Sequence, residues 1–155
     1  MRGPWARAGL VLLIVLVVDQ VTKALVRGSL AFGEEESVFP LVKLQHTRNR
    51  GVAFSALEGR TGLVVVVIAV AVVALVAYFA THLDRPLVWL PTGLLAGGAL
   101  GNVVDRVHQG FVTDFIKLPA WPVFNVADMA ITFGVLALLL VAERPRQDDE
   151  TPQRA

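Results

Sequence analysis

The chain has 155 residues, enough for one domain and too few for two ordinary ones. Hydrophobic residues make up 55% and charged residues 17%, against ~25% charged in soluble domains, so a water-soluble globule of this size is all but excluded. A net charge of +1 leaves no basic field for nucleic acid, and the absence of cysteine excludes disulfides, thiol catalysis and Cys-ligated zinc.

A bilayer core of ~30 Å needs about 20 apolar helical residues. The first predicted helix covers about 8–27: Ala8–Val18 is apolar, then Asp19, Gln20, Thr22 and Lys23 intrude. Arg2 and Arg7 ahead of it, with Ser29-Leu30-Ala31 behind, also fit a cleavable secretory leader. Against that, Asp19 and Lys23 lie four apart on one helical face, the spacing of an intrahelical ion pair, for which a discarded leader has no use. The link 28–61 carries Gly33, the acidic Glu34–Glu36 and the β-like stretch Val38–Leu44. It predicts a small sheet or an amphipathic patch at the membrane surface. The second helix, about 62–81, is almost pure Val, Ala, Leu and Ile without charge. After a short link comes the third, about 87–106, where Gly93, Gly97 and Gly101 are spaced by four beside Gly98. Such a stripe lets a neighbouring helix approach closely. A loop over Gly110–Pro122 carries Asp114, and the fourth helix, about 124–142, is interrupted only by Asn125 and Asp128. The charged, Pro-containing stretch that follows predicts a disordered end. The expected organisation is one four-helix membrane domain over residues 1–143 with a tail over 144–155. Lys and Arg divide too evenly between the two sides to orient it.

Because successive helices alternate direction, Asp19, Asp105 and Asp128 fall at one membrane face, with the Asp114 loop and the link bearing Asn49 and Arg50. An acid at a membrane boundary needs water or a partner, and is a functional candidate by default. Each acid alone marks a helix end; four of them, with Asn102 and Asn125 alongside, point to a site.

His46, His82 and His108 form no His-x-x-x-His pair, and no metal is expected. Ser29, Ser37 and Ser55 with Lys23, Lys43 and Lys117 leave a Ser–Lys dyad open. No Gly-x-Ser-x-Gly elbow and no phosphate-binding Gly loop is present. What remains is carboxylates. Two close aspartates share a proton, one acting as base on a water and the other as acid toward a carbonyl. A loop with Pro119 and Pro122 separates Asp114 from Asp128 and can fold back, so their spacing permits such a pair.

Five fragments then occur in order: Asp19-Gln-Val-Thr22-Lys23, Asn49-Arg-Gly51-Val-Ala-Phe54, Gly97-Gly98-Ala-Leu-Gly101-Asn102-Val-Val-Asp105-Arg106, Val112-Thr-Asp114-Phe115 and Phe124-Asn125-Val-Ala127-Asp128. On these the chain resembles bacterial lipoprotein signal peptidase (signal peptidase II). The resemblance implies an all-α integral membrane protein with four transmembrane helices, and a small extracytoplasmic β-cradle in the link between helices 1 and 2. Both termini would be cytoplasmic, in the bacterial inner membrane, with the active site at the extracytoplasmic face. It implies an aspartic endopeptidase that removes the signal peptide from prolipoproteins, cutting before a diacylglyceryl-modified cysteine. Asp114 and Asp128 would be the catalytic pair. Asp19, Lys23, Asn49, Gly51, Asn102, Asp105, Arg106 and Asn125 would bind substrate or support the site. No cofactor or metal is implied; the partners are the prolipoprotein and membrane lipid, with no nucleic acid, and the protein is expected to be a monomer. Two other readings of the same residues are a proton-coupled membrane carrier and a non-catalytic membrane scaffold built on the glycine stripe.

Overall fold

The computed structural model describes residues 3–50 and 61–143. Four helices, α1 (Pro4–Ser29), α2 (Thr61–Thr81), α3 (Trp89–Gln109) and α4 (Val126–Ala142), accompany three strands, β1 (Glu35–Phe39), β2 (Val42–Asn49) and β3 (Val112–Lys117). Gly51, Phe54 and the tail over 144–155 lie outside the described residues.

α1 begins earlier than the apolar run suggested, because Pro4 sits at its first turn, where a missing N–H costs nothing. Its buried residues Ala8, Val15, Asp19, Lys23 and Val26 form one stripe, and that stripe faces α3. The glycines of α3 explain the closeness. A Cβ on Gly93 would meet Val11 Cβ at 2.6 Å, and one on Gly97 would meet the Leu12 carbonyl oxygen at 2.9 Å, both on α1. A Cβ on Gly98 would meet the Ala127 carbonyl oxygen of α4 at 2.5 Å. α3 is therefore held between α1 and α4, with α2 also packed against it.

The helices are turned inside out relative to a soluble bundle. Leu13, Ile14, Val17, Val21 and Leu25 of α1, Val66, Val70 and Val73 of α2, and Phe133, Leu136, Leu139 and Leu140 of α4 are all exposed. Apolar surface this extensive marks a membrane-facing exterior. Among the described residues, two helices are long and apolar enough to cross a bilayer, Pro4–Ser29 and Gly62–Thr81, while Val126–Ala142 is a shorter apolar helix.

The sheet is antiparallel throughout, in the order β1-β2-β3. Two of its strands come from the link, as expected, but the third does not. The stretch containing Asp114, read from sequence as a loop, is β3. Gly110 caps α3 in the left-handed conformation (φ 75°) and turns the chain straight back, and Val112 and Phe115 then bury themselves. Phe115 packs with Val26 and Leu30 at the end of α1, with Leu44, Ile116 and Val126 around them. This cluster ties the sheet to the helix ends and sets Asp114 over the start of α4.

Candidate active site

Asp114 lies mid-strand in β3, opposite Thr47 of β2. Asp128 occupies the third position of α4, where its carboxylate and the Asn125 side chain form a reciprocal cap: Asn125 Oδ1 accepts from the Asp128 backbone N–H at 2.9 Å, and Asp128 Oδ2 accepts from the Asn125 N–H at 3.2 Å. The capping preference of Asn thus places one acid at a helix N-terminus, where negative charge is favoured.

Side-chain amides join the two acids. Asn125 Nδ2 donates to Asp114 Oδ1 at 2.7 Å and to Asn102 Oδ1 at 3.2 Å. Asn102 Nδ2 donates to Asp128 Oδ1 at 2.9 Å. Asn49 Nδ2 donates to the other Asp114 oxygen at 3.0 Å. Asp114 is only 3% exposed. Burial, and then the nearby Asp128 carboxylate, push its pKa up to about 6, against the opposing hydrogen bonds from Asn49 and Asn125. Both acids line a hollow of about 530 Å³, walled by Asn49, Ala120, Trp121, Pro122, Val123 and Phe124.

Beneath the amides is a buried layer of charge. The Lys23 ammonium meets Asp19 Oδ2 at 2.8 Å, Asp105 Oδ2 at 3.3 Å and Asn102 Oδ1 at 3.0 Å, and Lys23, Asp19 and Asp105 are fully buried. Asp19 Oδ1 also accepts from the Ala127 N–H at 2.9 Å, and Asp105 Oδ2 from the Thr113 N–H at 2.9 Å. Asp19 thereby fixes the start of α4 and Asp105 the start of β3, the two elements that carry Asp128 and Asp114. Arg106 donates to the Asn102 carbonyl at 3.2 Å, and the carboxylates of Asp114, Asp128 and Asp105 all act on its charge.

Nine of the ten residues singled out from sequence therefore converge; Gly51, the tenth, lies outside the described residues. The i,i+4 pairing of Asp19 with Lys23 is present, but the lysine does more than pair. Four further residues were not singled out for the site. Gln20 Nε2 donates to Asp19, to the Gly101 carbonyl and to Asp105. Arg27 NH1 donates to Thr113 Oγ1 at 3.0 Å and approaches Asp105 Oδ1 at 3.8 Å. Thr47 Oγ1 donates to the Asp114 carbonyl at 3.0 Å. For Arg27 a signal existed, since positions 19, 23 and 27 share one helical face. Thr47 and Thr113 could be placed only once the strand register was known.

Comparison with known proteins adds independent weight. A family model described as signal peptidase (SPase) II matches residues 11–143. The lipoprotein signal peptidase of Moorella thermoacetica is 44% identical over 131 residues, covering 83% of this chain and 87% of that one. That of Streptococcus pneumoniae is 36% identical over 140 residues, covering 87% and 91%. A bacterial membrane enzyme solved by the in meso method at 2.3 Å superposes with a TM-score of 0.82 at 30% identity, covering 96% of this chain and 93% of its own. A second such structure, at 1.9 Å, gives a TM-score of 0.77 at 30% identity, covering 88% and 92%.

Proposed function

Since the chain belongs to the signal peptidase II family, we propose that Asp114 and Asp128 are the catalytic pair with which it cleaves its prolipoprotein substrate. The activity itself is that of the family: a membrane protease of bacterial lipoprotein processing. The observation that carries the assignment is the shared hollow, where two carboxylates from distant parts of the chain are bridged by Asn102 and Asn125.

The chemistry follows from two acids sharing a proton. One carboxylate takes a proton from a water in the hollow, and the resulting hydroxide attacks the scissile carbonyl carbon. The other, protonated, gives its proton to the carbonyl oxygen, leaving a neutral tetrahedral diol. The first acid then returns its proton to the amide nitrogen as the C–N bond breaks, and the second recovers a proton from the diol as the carboxyl product forms. No covalent enzyme intermediate is needed. A pKa of about 6 for Asp114 suits it to hold that shared proton near neutrality.

We read the chain as a monomeric domain over residues 1–143 that spans the inner membrane four times, with the sheet and the site at the extracytoplasmic face. The 17-residue α4 reaches ~25 Å at ~1.5 Å per residue, short of the ~30 Å core by less than a turn. α3 keeps its polar residues, Asn102, Asp105 and Arg106, at the end nearest the sheet. An apolar trough supports the lipid contact: it shares Trp121, Phe124 and Asp128 with the hollow and continues down α4 along Met129, Thr132 and Phe133. In this reading an acyl chain of the modified cysteine lies there while the peptide reaches the acids.

The test is a synthetic lipidated precursor incubated with wild type, Asp114→Asn and Asp128→Asn in detergent. Each variant is expected to lose cleavage while keeping a cooperative unfolding transition. Near wild-type turnover by either one would end the assignment.

A further inference from the structure

Asn and Gln amides can sit either way round, and their direction is set by neighbours that have no choice. Two such neighbours bound the relay in this site. The Asp128 backbone N–H can only donate, so Asn125 must present Oδ1 to it and Nδ2 to Asp114 and Asn102. Lys23 Nζ, an ammonium, can also only donate. Asn102 must then turn Oδ1 toward Lys23 and Asn125, which leaves its N–H₂ aimed at Asp128. Turned the other way, Asn102 would set a carbonyl oxygen against the Asp128 carboxylate and N–H groups against Lys23.

We infer that Lys23 is a positioning residue for the reaction: together with the locked Asn125 it fixes the direction of the Asn102 amide, and through it the hydrogen bond that holds Asp128 in line with Asp114. Among the described residues the ammonium's partners are Asp19, Asp105 and Asn102, neither proposed catalytic acid among them, and these three account for its three N–H groups. This goes beyond stabilising α1 through the i,i+4 pair, a role for which Asp19 alone would suffice. The charged groups around the relay are Asp19, Lys23 and Arg27 from α1, Asp105 and Arg106 from α3, Asp114 from β3 and Asp128 from α4. Lys23 also contributes its charge: it favours the ionised form of Asp114.

The inference rests on the catalytic assignment of Asp128, so Asp128→Asn is run beside it. Full cleavage by that variant overturns the assignment, whatever Lys23 does. With the assignment standing, the decisive comparison is Lys23→Met against Lys23→Gln. Met is unbranched like Lys but has no donor; Gln loses the charge but keeps N–H groups for Asn102. With the synthetic lipidated precursor, Lys23→Met is expected to lower kcat about tenfold or more with KM little changed. Lys23→Gln should stay within about threefold of wild type in kcat. Both should move the pH–rate profile to higher pH, because a positive charge beside the acids is gone. A double-mutant cycle with Asn102→Ala completes the test. If Lys23 acts through Asn102, the double variant of Lys23→Met and Asn102→Ala loses no more than Asn102→Ala alone. Multiplicative losses in that cycle, or a fall in kcat for Lys23→Gln as deep as that expected of Lys23→Met, overturn the inference. The second result decides the matter even if Lys23→Met does not fold.

Discussion

Gly98→Ala probes how far the site depends on the approach of two helices. The added Cβ would lie 2.5 Å from the Ala127 carbonyl oxygen, 2.9 Å from Ile131 Cγ1 and 3.3 Å from the Ile131 nitrogen. Two of these are backbone atoms of α4 and cannot rotate away. With ordinary contact beginning near ~3.5 Å, α3 and α4 must part by about 1 Å. Asn102 lies one turn beyond Gly98, and Asp128 follows Ala127. Their 2.9 Å hydrogen bond would then open past the range of useful N–H···O geometry, ~3.2 Å. Overpacking of this kind costs ~1–3 kcal/mol in stability, and a misplacement of ~1 Å costs about 100-fold in rate. Gly93→Ala is the control. Its Cβ meets Val11 Cβ at 2.6 Å and the Ala8 carbonyl oxygen at 2.7 Å, a similar clash against α1 and nine residues from Asn102 along α3. Both variants should unfold at lower temperature in detergent; Gly98→Ala alone should lose most of its kcat on the lipidated precursor. Wild-type kcat in Gly98→Ala, or equal losses in both, would refute the coupling of helix spacing to the acids.

Three other outcomes are expected. Asp114 binds its proton more tightly folded, at about 6, than its ordinary 3.8. Its contribution to stability is therefore full below about pH 4 and is lost as pH rises toward 6, a swing of about 3 kcal/mol. Unfolding temperatures of wild type and Asp114→Asn measured between pH 4 and 7 should diverge with that sign, the wild type falling the more steeply as pH rises. Asn125→Ala removes the cap of α4 and the Asp114 bond together, so thermal unfolding should register a loss of ~1 kcal/mol or more and cleavage assays a fall in kcat well beyond what that loss explains. Thr132→Trp fills the trough below Asp128; kcat/KM should drop more for precursors with long acyl chains than for short ones, and an equal drop for both would remove the acyl chain from that trough.

What could be read from the residues alone was whatever depends on local chemistry. Apolar runs marked the four helices to within a few residues, and alternation of helix direction brought Asp19, Asp105 and Asp128 to one end without any coordinates. The five fragments named the relevant side chains. The third strand was hidden because Val112-Thr113-Asp114-Phe115-Ile116-Lys117 is only six residues long, and its acid and its lysine sit where a loop would carry them. Its identity is decided by partners far along the chain, with Thr113 opposite Arg48 and Asp114 opposite Thr47. The same holds for the direction of the amides. Nothing local to Asn102 says which end of its side chain faces an acid; that depends on a lysine 79 positions earlier and an asparagine 23 positions later.

This division has a physical origin in the way charge is arranged in the site. Asp19 and Asp105 are buried with Lys23 and supported by Gln20, Arg27 and backbone N–H groups, so their charge is already met before substrate arrives. Asp114 and Asp128 take side-chain hydrogen bonds from neutral amide donors, and the Arg106 charge acts on both. Neutral donors orient a carboxylate without cancelling its charge, and two such carboxylates in one hollow compete for a proton. Moving the ammonium up one layer, into direct contact with the pair, would favour the ionised form of both acids and remove the proton that the proposed mechanism needs. Placing it one residue further back, behind Asn102, keeps the acids aligned and leaves that proton available.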